Sequence, residues 1–86
     1  MATVTIEVRY FAAARAAAGV EAEKIQLADT ATVDDLLAAL RAEHGAELAR
    51  VLERCSFLLD EVAVRDRGVG VAGAASLDVL PPFAGG

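Results

Sequence analysis

Residues 32–45 read TVDDLLAALRAEHG, and the fold reading starts there. Val33, Leu36, Leu37 and Leu40 fall at i, i+3, i+4 and i+7, the spacing of one apolar stripe on an α-helix. Thr32 stands where an N-cap belongs, and Asp35 stands three residues on, in the position of a capping box that more often carries Glu or Gln. Asp34 and Asp35 place negative charge in the first turn, where the helix dipole favours it. Gly45 is a natural stop. His44, in the last turn, reads as a cation complementing the dipole rather than as a catalytic group.

Upstream, residues 3–11, TVTIEVRYF, alternate cleanly. Val4, Ile6, Val8 and Tyr10 share one face, and Thr3, Thr5, Glu7, Arg9 and Phe11 share the other. Period two with β-branched enrichment predicts a half-buried strand, with Tyr10 and Phe11 packing on opposite faces and Arg9 solvated. Ala12–Ala18 has the propensity for a short helix closed by Gly19. Arg15 and Lys24 read as solvated. Ile25 and Leu27 in EAEKIQL mark a weaker second strand, and Asp29 and Thr30 have loop composition.

Downstream, Leu48, Val51 and Leu52 suggest a short helix. Residues 56–65, SFLLDEVAVR, predict one or two strands turning near Asp60 and Glu61. Residues 66–75 read as a loop with room for a short strand at Val69 and Val71. Its glycines, 68, 70 and 73, form no phosphate-binding pattern. SLDVL at 76–80 alternates again, with Leu77 and Val79 toward a core and Asp78 and Leu80 outward. Pro81 and Pro82 then stop the ladder, because proline has no N–H to donate. Strands flanking one main helix predict an α+β domain, a mixed sheet of four to five strands packed on that helix. If the first and last strands are central neighbours they run parallel, but pattern alone does not fix that adjacency.

The chain has 86 residues, 56% hydrophobic and 24% charged. That is one domain with a modest core, expected over residues 1–80, followed by an extended tail at 81–86. No apolar run approaches the roughly 20 residues of a membrane-spanning helix. No signal peptide is visible, and the lone Cys55 cannot form an internal disulfide; together these predict a cytoplasmic protein. Cys55, beside Phe57 and Leu58, reads as a small buried hydrophobe rather than a reactive thiol. A net charge of −5 argues against nucleic acid, whose phosphates demand a basic surface. No metal-ligand spacing is present. What this chain does is expected to lie in what it presents to other proteins.

The tail is Pro81-Pro82-Phe83-Ala84-Gly85-Gly86. Six residues beyond Leu80 reach at most roughly 20 Å when extended. Two prolines stiffen the base, and glycine at the tip admits a narrow channel. The reactive group at such a tip is the Gly86 carboxylate. It is a poor electrophile until activated, most simply as an acyl-adenylate. An amine nucleophile then makes a protein tag, and a persulfide makes a thiocarboxylate. Leu80 and Phe83 are candidate apolar anchors for a partner, and Pro81, Pro82, Ala84 and Gly85 complete the segment a partner would grip.

Three segments, VTIEVRYFAAARAAAG, TVDDLLAAL and SLDVLPPFAGG, carry a resemblance across nearly the whole chain. It resembles the MoaD/ThiS-like sulfur carriers, most strongly the branch of molybdopterin synthase small subunits; the strand followed by PP-x-x-GG is the specific part. The resemblance implies a ubiquitin-like β-grasp fold with a flexible Gly-Gly tail. It implies that Gly86 is adenylated and then thiocarboxylated by an E1-like adenylyltransferase using ATP and magnesium, the chain itself holding no cofactor and having no activity alone. It implies insertion of the tail into a synthase large subunit, within a heterotetramer, to supply sulfur to cyclic pyranopterin monophosphate. Carriers for thiamin or cysteine biosynthesis and ubiquitin-like modifiers share this tail. The sequence departs from the family in two turns, Leu59-Asp60-Glu61 where Asn-Gly is frequent and Gly73-Ala74-Ala75-Ser76 where an acidic-Gly turn is frequent.

Overall fold

The computed structural model describes residues 2–82. The chain runs β1 (Thr3–Tyr10), α1 (Ala12–Ala18), β2 (Ala22–Ala28), α2 (Val33–His44), α3 (Ala46–Leu52), β3 (Ser56–Leu59), β4 (Val62–Ala63) and β5 (Ser76–Leu80). One five-stranded sheet has the order β2-β1-β5-β3-β4. β1 and β5 are parallel neighbours, and the other pairings are antiparallel. The first and last strands are therefore central and adjacent, and the domain is an α+β β-grasp.

Local chemistry sets α2. Thr32 Oγ1 accepts from the Asp35 N–H at 3.2 Å, and the Asp35 carboxylate accepts from the Thr32 N–H at 2.9 Å. The full reciprocal capping box forms with Asp in place of Glu. Val33, Leu36, Leu37 and Leu40 are buried against the inner face of the sheet, where Ile6, Val8, Tyr10, Phe57, Leu77 and Val79 meet them. Ala14 of α1 and Leu48 and Leu52 of α3 close the core. Each fully buried aliphatic side chain contributes about 1.5–3 kcal/mol, and α2 alone places four.

Two turns adopt left-handed backbone without a glycine. Asp60 (φ 48°) and Glu61 (φ 68°) both take positive φ between β3 and β4, as a tight primed hairpin turn requires. Asp60 justifies its place: its Oδ1 accepts from the N–H groups of Ala75 and Ser76 at 2.8 and 3.0 Å, fastening the hairpin to the start of β5. Ala12 (φ 50°) likewise turns β1 into α1, whereas Gly19 (φ 81°) ends α1 without penalty.

Several expectations need correction. Residues 66–75 hold no strand; Gly70 makes one isolated bridge to Thr32, while Val71 is buried and Val69 exposed. Phe11 lies past the end of β1 at the head of α1 and is 44% exposed, so it does not pack as Tyr10 does. Asp78 points to the outer face but is buried, paired with Arg9. Arg9 is therefore only partly solvated, whereas Arg15 is exposed as expected and pairs with exposed Glu21 at 3.1 Å. His44 does not serve the helix end alone. Its Nε2 hydrogen-bonds Glu23, its ring meets Tyr10 edge-on, and the Tyr10 hydroxyl donates to the same Glu23 oxygen at 2.6 Å. Tyr10, Glu23 and His44 thus pin the end of α2 to β1 and β2.

Candidate functional site

The site is built where β5 leaves the sheet. β5 lies between β1 and β3, so its course is fixed by a ladder on each side. Leu80, its last residue, pairs with Ser56 at the start of β3. On the other side the Phe11 N–H donates to the Val79 carbonyl at 3.2 Å, which extends the β1–β5 register one step and brings Phe11 beside Leu80. Pro81 and Pro82 follow outside the ladder, Pro81 half-buried and Pro82 exposed. The prolines end the strand because neither can supply an N–H. Of the sequence candidates, Leu80, Pro81 and Pro82 fall together at this edge. Phe83, Ala84, Gly85 and Gly86 lie outside the described residues.

Outer-face positions near the exit form two rows. Phe11 and Leu80 occupy the first, and Leu80 is half-buried. Arg9 and Asp78 occupy the second, directly paired in the parallel register, with half-buried Leu58 across from Asp78. The Arg9 guanidinium grips Asp78 with two bonds, Nε–Oδ1 at 2.6 Å and Nη2–Oδ2 at 3.1 Å. That hydrogen bond first, and the Asp78 charge second, hold the Arg9 pKa above its ordinary value. Asp78 is thereby satisfied, and among the described residues no buried side-chain polar atom lacks a partner.

Phe11 is the residue that sequence reasoning misplaced. Alternation put it in the strand, yet a signal existed: the alanine run beginning at residue 12 leaves little room for the strand to continue past Phe11. An exposed aromatic next to a half-buried leucine and two prolines is the composition of an interface core rather than of ordinary surface. Cys55 is buried, its Sγ donating to the Val51 carbonyl at 3.2 Å, and burial pushes its thiol pKa up. It is the small hydrophobe expected of it, not a nucleophile. Among the described residues no group of three His, Cys, Asp or Glu could hold a metal, and no helix is long and apolar enough to cross a membrane. The groove lined by Leu59, Val62, Val64 and Val69 sits at the opposite end of β3 from the exit.

This arrangement has counterparts. The model of the ThiS family matches residues 8–86. The molybdopterin synthase sulfur carrier subunit of Chlamydomonas reinhardtii is 37% identical over 82 residues, covering 94% of this chain and 98% of that protein. SAMP1 from Haloferax volcanii superposes with a TM-score of 0.83 at 28% identity, over 96% of this chain and all of its own. In fold the chain also matches, with a TM-score of 0.70 at 23% identity, 96% coverage of this chain and 100% of the other, a chain of the complex of subunits 1 and 2 of the molybdopterin-converting factor from Helicobacter pylori 26695. A β-grasp sheet whose central strand runs out through two prolines toward Gly-Gly, matched by the family over nearly its whole length, makes this chain a member of the ThiS family.

Proposed function

We propose that this chain is the sulfur carrier subunit of a molybdopterin synthase. The observation that carries the reading is the exit itself: the central strand, held on both sides, delivers Pro81 and Pro82 to the sheet's edge beside an exposed Phe11. The relative of that name, 37% identical over 94% of the chain, supports the pathway. An E1-like adenylyltransferase, with ATP and magnesium, joins the Gly86 carboxylate to AMP and releases pyrophosphate. The terminal sulfur of a persulfide displaces AMP, and a thiol then cleaves the S–S bond to leave the thiocarboxylate. The globule supplies no catalytic group. It positions the tail, and Phe11, Leu80, Pro81, Pro82 and Phe83 anchor it while Ala84 and Gly85 pass through the channel of a large subunit. There the Gly86 thiocarboxylate gives its sulfur to cyclic pyranopterin monophosphate. A cytoplasmic setting, with its supply of ATP and thiols, fits this chemistry.

Intact mass of the protein from its native host tests the reading. A fraction with one oxygen replaced by sulfur is expected. A second reading, conjugation to lysines, draws on the likeness to the archaeal modifier of Haloferax volcanii, 27–28% identical. It requires adducts of higher mass instead. Phe83→Ala is expected to weaken binding of the large subunit with the melting temperature unchanged; a large loss of stability would make Phe83 part of the core.

A further inference from the structure

The Arg9–Asp78 pair stands one row back from Phe11 and Leu80 on the outer face and is not needed to carry sulfur. Arg9 comes from β1 and Asp78 from β5, 69 residues apart in sequence. Asp78 is buried already, while the Arg9 side chain remains 40% exposed. A guanidinium has five N–H donors; the hydrogen bonds found among the described residues use two of them, both on Asp78. The remaining donors belong to a side chain on the outer face, in the row next to that of Phe11 and Leu80. A wholly apolar partner covering this row would strip water from those donors and return nothing, which is unfavourable for a buried charge.

The charges nearby sharpen the demand. Glu7 lies two residues back on the same face, directly across from Lys24. The strand charges on the outer face, Glu7, Arg9, Lys24 and Asp78, cancel, although the whole chain carries −5. Glu7 acts electrostatically on Arg9, and across the strands of this face the two cations balance the two carboxylates. Glu61, which also acts electrostatically on Arg9, belongs to the β3–β4 turn.

The geometry points to a partner carboxylate set in an apolar ring: the synthase large subunit places an Asp or Glu against the free edge of Arg9, with Asp78 holding the guanidinium in position. This gives the docking surface its specificity, because a carrier or partner lacking either charge leaves the other buried and unpaired. The inference rests on the sulfur-carrier reading.

The test titrates wild type and the variants R9M/D78L and R9Q/D78N onto the purified large subunit from the same organism, by calorimetry at low and high salt. The apolar pair is expected to preserve folding, checked by a cooperative melt; the neutral polar pair serves if it does not. Each folded variant is expected to bind at least tenfold more weakly and with a flatter salt dependence than wild type. Equal or tighter binding by a folded variant overturns the inference and leaves the carrier reading intact. Weaker binding with an unchanged salt dependence overturns the carboxylate, since a neutral carbonyl would suffice. Absence of wild-type binding overturns both the inference and the large-subunit reading beneath it.

Discussion

The two faces of the central strands use the same backbone for different ends. On the inner face, Val8, Tyr10, Leu77 and Val79 are buried against α2 and the rest of the core. One residue along each strand, the outer face carries Arg9, Asp78 and Leu80, with Phe11 just beyond β1. The inner face is closed by this chain's own helices. The outer face near the exit is left with an exposed aromatic and a half-satisfied guanidinium. In a domain this small, alternation lets one strand serve stability with its even or odd set and partner recognition with the other.

The strongest way to break that division is to separate function from folding completely. Deleting Gly86 is expected to abolish adenylation by the activating enzyme, measured as ATP–pyrophosphate exchange, while the denaturation midpoint stays at the wild-type value. Exchange that persists after the deletion would move the reactive group away from Gly86. Next in size is the contrast between Leu77 and Leu80 on one strand. Leu77→Ala should cost about 3 kcal/mol in chemical denaturation, the usual penalty for a cavity in a packed core. Leu80→Ala should cost under about 1 kcal/mol, because its side chain is only partly removed from water. It should still weaken large-subunit binding by about tenfold. Equal stability losses would erase the distinction between the faces.

Tyr10 tests the inner face. Tyr10→Phe removes a hydrogen bond to the Glu23 carboxylate and should cost about 1.5 kcal/mol. Burial first, and the bond to Glu23 next, hold the Tyr10 pKa above the ordinary tyrosine value. Above about pH 10 the unfolded chain loses this proton while the folded chain keeps it, so wild-type stability falls as pH rises. Below that pH both states are protonated and the contribution is fully present. The chain has one tyrosine and no tryptophan, so its ultraviolet titration reads this group directly. The pH dependence of unfolding above pH 10 should be shallower in the Phe variant. The smallest effect expected is a gain: Glu61→Gly should add about 1 kcal/mol in chemical denaturation by relieving the left-handed backbone in the hairpin turn.

Much of the scaffold was legible because its signals are local. The Thr32–Asp35 box, the stripe of Val33, Leu36, Leu37 and Leu40, and the Gly19 stop each lie within a few residues of their partners. The tail segment was legible as composition, two prolines and two glycines after a strand. Phe11 was misread because period two continues through it, while the turn at Ala12 that exposes it is a left-handed conformation alanine does not advertise. The short strand expected at Val69 and Val71 failed because two apolar residues alternating in a glycine-rich loop need a neighbouring strand edge, and among the described residues they meet the turn before α2 at one isolated bridge, Gly70 to Thr32.

The helices, the strand faces and the Pro-Pro-to-Gly-Gly segment could be read from the residues alone, since periodicity and capping act between residues close in the chain. The packing of the chain was needed to show that β1 and β5 lie side by side, that Arg9 grips Asp78, and that Tyr10, His44 and Glu23 meet. Those pairings join residues 13 to 69 positions apart. They leave no periodic trace, because they arise only once burial of the inner face has set the order of the strands.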